Sequence, residues 1–388
     1  MSGTVRELTC GGYTIRCAQT LAPFADTWPA MAEVCGDVGA YPFQCRDHLQ
    51  IWLDTIGQES AATPFFVEVR RHDRTAMLVP LGVAPRGNVR VLTFLDAGVC
   101  DYNAPIVFPP AAGIDHASMK ALWKSIRRAA PPHDVACLEK IPERAASHAN
   151  PFWLLGRQSW SSGGHVIALG EAKLEKKRDV SDSNRQRRRL ASLGELRFCI
   201  ASEPHDIARV FEVFVAQKSR RYQETLGNPG FDVPGQREYY RRLGCELASR
   251  GSQLSYLTVG DEVIATAWCL IAGRTFYYMM CAYAAEWRKY SPGRLLLEEL
   301  VRWAEQTGLE FFDLGIGDES YKRHWRQADV KLTSALHPAT AKGHAYVVAL
   351  QLREALRTRL PPSLLAVLKA ALRKPGRADD AISLRPAV

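Results

Sequence analysis

The chain has 388 residues, of which 47% are hydrophobic and 23% charged, and carries a formal net charge of +9. At about 150 residues per domain this length implies two domains and a remainder, and the near-average composition excludes global disorder and fibrous classes. The charge alone fits a nucleic acid, a membrane surface or an anionic substrate, so its distribution decides more than its total. Lys173–Arg189 holds eight basic residues against three acidic ones, and residues 342–388 hold nine against three. The remaining chain is close to neutral.

The ten cysteines include no CxxC pair and no Cys/His cluster at zinc spacing, so no metal is expected. Several sit in apolar runs, as buried thiols do, and a reducing compartment fits them best. No apolar signal core and no run near the ~20 apolar residues of a membrane span occurs. A cytoplasmic protein is expected.

In chain order, β-rich runs are predicted at Gly12–Cys17, Pro64–Val69, Thr75–Val83, Val89–Leu95, Pro105–Phe108 and Asp134–Glu139. Helical periodicity appears at Arg46–Ile56 and Asp115–Ala130, the second ended by Pro131–Pro132. These elements form a first α/β lobe, residues 1–165. The second lobe, 166–340, opens with a basic helix over Lys173–Leu193, anchored by Leu174, Leu190 and Leu193. A strand at Leu196–Ala201 precedes helices at Asp206–Leu226 and Gln236–Arg250, which flank a Gly/Pro-rich loop. Strands at Leu254–Val259, Val263–Ala272 and Thr275–Tyr283 then form a meander. A helix at Pro292–Thr307, a strand at Glu310–Leu314, a short helix near Ser320–Arg326 and a strand near Val330–His337 complete the lobe. Such an order mixes parallel and antiparallel strands in one sheet. Residues 341–388 form a basic, amphipathic helical tail.

The most informative segment is Arg288–Arg294, RKYSPGR. Pro292 suits the first turn of a helix, and Gly293 lets a ligand approach the backbone. The N–H groups of Gly293, Arg294 and Leu295 would face an incoming anion, with Arg288, Lys289 and Arg294 adding charge. An ordinary strand-to-helix connection is the competing reading.

Arg288-x-x-Ser291-x-Gly293 resembles the pyrophosphate loop of GNAT N-acyltransferases, with Ser291 in place of the usual first glycine. The CelD/BioF-like acetyltransferase branch carries F-D-x-G-x-G-D/E-x-x-Y-K-x-x-W, which Phe312, Asp313, Gly315, Gly317, Asp318, Tyr321, Lys322 and Trp325 fill. Its N-terminal G-x-x-x-D-Y-x-x-P element is matched by Gly98, Asp101, Tyr102 and Pro105. The resemblance covers roughly residues 15–338, and Fem-type aminoacyltransferases share its tandem of two lobes. It implies tandem GNAT-like lobes, α/β with mixed sheets, the first lobe degenerate and the second holding acyl-CoA.

By the same resemblance, Arg288, Ser291, Gly293, Arg294 and Leu295 would bind the donor, and amides near Met279–Tyr283 its pantetheine. Asp313 would be the base or substrate anchor, with Tyr283 and Tyr290 as donors to the leaving thiolate. Asp101, Tyr102, Tyr321, Lys322 and Trp325 would line the acceptor cleft. Packing, loop-fixing and solvated-lysine roles compete for these residues. Phe94–Asp101 and Phe311–Asp318 share Phe, Asp, Gly and Asp at matching places, which reads as coincidence because the elements around them do not align.

The acceptor would be an amine or hydroxyl compound, anionic or lipidic, related to the cell envelope, and 343–374 would reach an inner membrane surface. The alternatives are a Fem-type transferase using aminoacyl-tRNA and a non-catalytic scaffold of a polysaccharide-synthesis complex. His324 and His337 lack nucleophile partners. No motif supports hydrolase, metalloprotease or kinase chemistry, and DNA is the least expected partner.

Overall fold

The computed structural model describes residues 4–170, 180–227, 230–231, 235–317, 319–325 and 327–359. Expectations for residues 173–179, including Leu174, for 228–229 and 232–234 of the loop, for Asp318 and for the tail beyond residue 359 lie outside the described residues.

The chain opens with a hairpin, β1 (Arg6–Cys10) and β2 (Tyr13–Ala18), followed by helices α1 (Arg46–Asp54) and α2 (Ile56–Glu59). The strands β3 (Thr63–Arg71), β4 (Arg74–Arg86), β5 (Val89–Phe94) and the short β6 (Ile106–Val107) lead to α3 (His116–Ala129) and β7 (Val135–Pro142). A small hairpin, β8 (Arg144–Ala145) and β9 (His148–Ala149), precedes β10 (Gln158–Ser159) and β11 (Gly164–Ala168). The second half runs α4 (Val180–Ala191), β12 (Leu196–Ile200), α5 (Pro204–Leu226), α6 (Gln236–Glu246), β13 (Ser252–Val259), β14 (Glu262–Ala272) and β15 (Thr275–Tyr283). Then come α7 (Pro292–Gln306), β16 (Phe311–Ile316), α8 (Ser320–Trp325), β17 (Ala328–Val330), β18 (Leu332–Pro338) and α9 (Ala341–Arg359).

Among the described residues these strands form two large sheets of one plan. The first runs β1-β2-β3-β4-β5-β7-β18-β10, and the second β12-β13-β14-β15-β16-β11-β17. In each, an antiparallel series ends in one parallel pair, β5 with β7 and β15 with β16. The next position is filled by a strand from the other half of the chain. Strand β18 pairs antiparallel with β7, and β11 with β16. The strand read near Val330–His337 therefore splits in two, and its larger part belongs to the first sheet. The architecture is mixed α/β in two lobes, each completed by a strand of the other.

Local chemistry explains the elements that position the site. Helix α3 starts where the Asp115 carboxylate accepts the Ser118 N–H at 2.8 Å. It buries Met119, Leu122, Trp123 and Ile126, a spacing of one helical face. Helix α7 buries Leu295, Leu296, Leu297, Leu300, Val301 and Ala304 against the second sheet, each large apolar side chain contributing about 1.5–3 kcal/mol. The opposite face of that sheet shares a continuous core with the first lobe, running from Trp28 and Phe43 through Phe211, Phe214 and Tyr240 to Trp268.

The basic helix is anchored differently from expectation. Leu190 is fully buried, but Leu193 is 56% exposed. Polar anchors take its place: Arg187 pairs with Glu298 at 2.8 Å and Glu299 at 2.9 Å, and Ser183 donates to Glu298 at 2.5 Å. Helix α9 packs Tyr346 and Val347 onto Val89, Val91, Val135 and Cys137 of the first sheet, not onto the second lobe. Its Val348 and Leu352 stay exposed. Among the described residues no helix is long and apolar enough to cross a membrane.

Candidate active site

Strand β15 ends at Tyr283 and a single-turn helix, Ala285–Tyr290, carries the chain to Ser291. Ser291 has φ 55° and ψ 48° and its side chain makes no cap to α7. A non-glycine residue there costs on the order of 1–3 kcal/mol, a strain that clusters at ligand sites. As at any helix start, the N-cap carbonyl, here that of Ser291, accepts the first helical N–H groups, those of Arg294 at 3.1 Å and Leu295 at 3.2 Å. Two of the three amides expected to be free are thus engaged. Pro292 has no N–H, and Gly293 N–H has no acceptor among the described residues. A Cβ on Gly293 would lie 3.4 Å from the Tyr283 ring, so the glycine is in contact with that ring's face of the turn.

Arg288 and Lys289 are exposed beside this turn. Arg294 is bound to Asp182 of α4, which offsets part of its charge. Leu295 is a core residue, 1% exposed. Tyr290 is buried as well, packed on Trp287 with Arg189 and Lys289 over its ring at 5.2 and 5.1 Å. Of the two tyrosines expected at the leaving group, Tyr283 is the one in contact with the turn.

The parallel pairing of β15 with β16 covers Thr275–Tyr277 against Phe311–Asp313 and stops there, while β15 continues to Tyr283 and β16 to Ile316. Beyond Tyr277 and Asp313 the strands part, leaving an open edge on β15. Ala284 N–H points to β14, where it donates to Ile264. Alternation along the strand directs the backbone of Tyr283 and Cys281 the other way, into the gap. Two cations of α5 mark that edge, as Lys218 donates to the Cys281 carbonyl at 3.4 Å and Arg220 to the Tyr283 carbonyl at 2.7 Å. Neither was legible beforehand, because an amphipathic helix shows which side is apolar and not which cation reaches a strand.

Asp313 stands at the apex of the gap, inside β16, and is 3% exposed. Its Oδ1 accepts the Tyr102 hydroxyl at 2.9 Å and the Gly315 N–H at 2.7 Å. Burial pushes its carboxyl up to about 7, although both hydrogen bonds favour the ionised form. Tyr102 comes from the first lobe and is fully buried, so it touches Asp313 rather than lining an open cleft. Two glycines make room here. A Cβ on Gly164 would fall 2.0 Å from the Tyr102 hydroxyl, and one on Gly315, at φ +72°, would fall 2.3 Å from the Asp101 carboxylate.

Asp101 lies 3.4 Å from the Ile316 N–H, and burial holds its carboxyl above the usual range. The two look-alike segments therefore meet across the lobes, yet Phe94 ends β5 whereas Phe311 begins β16, so they are not equivalent in the two sheets. Lys322 is buried, not solvated: it donates to the Ile316 carbonyl at 2.7 Å and pairs with Glu319 at 3.0 Å. Its length lets it tie the chain after β16 to α8. Tyr321 is 37% exposed, and Trp325 is half-buried against the second-lobe core. Among the described residues no cluster of three or more His, Cys, Asp or Glu could hold a metal.

Residues 177–323 match the model of the acetyltransferase (GNAT) domain. The second lobe is thus an acyltransferase domain, and the chain an enzyme of that type. No curated protein sequence matches it. Solved structures of similar outline include the C-terminal domain of a lysylphosphatidylglycerol synthetase from Agrobacterium fabrum, at 12% identity and TM-score 0.46 over 71% of this chain and 85% of that one. FemX is similar at 11% and 0.47 over 72% and 90%. A tandem GNAT protein from the clavulanic acid biosynthesis pathway is similar at 15% and 0.42 over 83% and 93%.

Proposed function

We propose that this chain transfers an acyl group from acyl-CoA to an amine or hydroxyl acceptor, with the donor in the gap between β15 and β16. The observation that carries the reading is the parting of those strands beyond Tyr277 and Asp313, opposite a helix start that has no side-chain cap. Gly293 N–H, Arg288 and Lys289 would hold the pyrophosphate, and the Cys281 and Tyr283 N–H groups the pantetheine amides. The thioester carbon then lies toward the apex. The acceptor nitrogen or oxygen forms a bond to that carbon, Asp313 takes its proton, and the C–S bond breaks. Tyr283 stands at the pyrophosphate end of the gap, about 20 Å along β15 from the apex, so the departing thiolate takes its proton from solvent. Tyr102 and the Gly315 N–H keep Asp313 aimed, and the Gly164 contact leaves Tyr102 one position.

Calorimetric titration with acetyl-CoA and longer acyl-CoAs tests the donor, and a protein that takes up none of them loses this assignment. The competing aminoacyl-tRNA donor is favoured by one observation, the exposed face of Arg185, Arg188 and Arg189 on α4. Binding of aminoacyl-tRNA in place of acyl-CoA in the same titration would decide for it. An envelope or lipid acceptor is supported by the exposed Val348 and Leu352 and by the basic residues of 342–388. Truncation after Arg359 is expected to weaken binding to anionic vesicles, and unchanged binding would refute the membrane role.

A further inference from the structure

A second basic site lies in the first lobe, outside the donor gap. A cavity of 380 Å³ opens between α3, the segment Leu154–Arg157 and β18, within the size range of small-molecule sites. Lys120, Lys124, Arg127 and Arg157 line it, and no aspartate or glutamate does. A surface cluster of four cations with no lining acid is costly unless an anion visits it, since each charge raises the others' energy.

The side chains are arranged as well as charged. Arg127 lies over the Trp123 ring at 5.9 Å, and its Nε is buried without a hydrogen-bond partner. Burial lowers its guanidinium from the usual value with no carboxylate to offset it. Trp123 Nε1 donates to His337 Nδ1 at 3.2 Å. Because the indole can only donate, that nitrogen is the acceptor, and the proton of the neutral ring sits on Nε2. Burial, then Arg127 and Arg157, hold His337 down to about 4, so it is neutral near pH 7. Leu154, Leu155 and the face of Trp123 supply an apolar wall beside these donors.

We infer that this cavity binds a small anionic amphiphile, with a phosphate or carboxylate held by Arg127, Arg157 and the two lysines and an apolar body against Trp123, Leu154 and Leu155. The ligand is a second molecule, separate from the acyl donor, and the inference does not rest on the donor's identity. The site joins α3 to β18, the late strand that completes the first sheet, so an occupant would bear on how that strand is held.

Titration calorimetry on the full chain with hexyl phosphate and with inorganic phosphate tests this. Hexyl phosphate is expected to bind at least about tenfold tighter, as a few buried methylenes would give. Arg127→Gln with Arg157→Gln is expected to weaken it by about tenfold or more, the size of a lost charge-assisted hydrogen bond. Lys120→Gln with Lys124→Gln, both exposed, gives a second weakened variant should the first fail to fold. Equal affinity for the two ligands would overturn the amphiphile, and no binding, or binding unmoved in both variants, would overturn the site.

Discussion

The two lobes share one strand plan and treat the same two positions in opposite ways. In the second, β15 and β16 part and the helix between them starts on Ser291 with no side-chain cap. In the first, β5 and β7 part after Val91–Leu92 against Val135–Ala136, and the gap is plugged. Asp96 just past β5 pairs with Lys140 of β7 at 2.6 Å, and Asn103 donates to Asp96 at 3.0 Å and to the Glu139 carbonyl at 3.1 Å. The equivalent helix start, at α3, is closed by the Asp115 carboxylate. A carboxylate on a helix N-terminus satisfies the amides that would otherwise draw an anion. The lesson is that a binding site on this frame is made by leaving a gap and a cap unfilled, and lost by filling them.

Breaking the plug has the largest expected effect. Lys140→Met leaves Asp96 buried without its cation and is expected to cost about 3–5 kcal/mol, read as a fall in the denaturant midpoint. Asp96→Asn with Lys140→Met is expected to recover much of that loss, since a neutral amide needs no cation and its oxygen still accepts the Cys100 N–H. A double variant as weak as the single would show that the gap requires the ion pair itself.

On the open side, Asp313→Asn keeps an oxygen for Tyr102 and Gly315 but removes the base. Turnover is expected to drop on the order of 10³-fold, with the fold retained. The rate of the parent enzyme should rise with pH through about 7 as Asp313 ionises. The stability sign runs the other way. A carboxyl whose value is raised on folding destabilises the fold as pH climbs from its unfolded value near 4 toward 7. The Asn variant should therefore gain stability relative to the parent over that window, and a parallel pair of pH curves would contradict the burial argument.

Gly293→Glu sets a carboxylate and a longer side chain at the start of α7, against the Tyr283 ring. Acyl-CoA affinity is expected to fall about 100-fold, or about 2.7 kcal/mol, and binding at parental strength would remove the turn from the site. The smallest effect belongs to the matching position of the first lobe. Asp115→Ala is expected to cost about 1 kcal/mol of stability and to leave acyl-CoA binding unchanged. A change in that binding would mean the first lobe also takes the donor.

Much of this contrast was legible in the sequence, and the limits have physical causes. Ser291-Pro292-Gly293 announced a helix start with close backbone approach, because those residue types restrict the chain locally. Asp313 was singled out from its motif, and the structure places it at the strand divergence. What local pattern could not show was partnership. Lys322 looked solvated, yet its ammonium is buried on the Ile316 carbonyl. Arg294 and Leu295 seemed to offer free amides, yet as the third and fourth residues of α7 they bond back to the Ser291 carbonyl. The Tyr102–Asp313 bond spans 211 positions, beyond the reach of any local pattern.

The traded strands also bear on how the protein is made. The first sheet needs residues 332–338, which pair with 135–142, so it stays short of a strand until about 190 further residues have been translated after β7. Until then β7 presents an unpaired edge, open to aggregation. Neither of the two lobes is a finished sheet from its own stretch of sequence, and separate expression of the two stretches would release polypeptides that each lack a strand carried by the other.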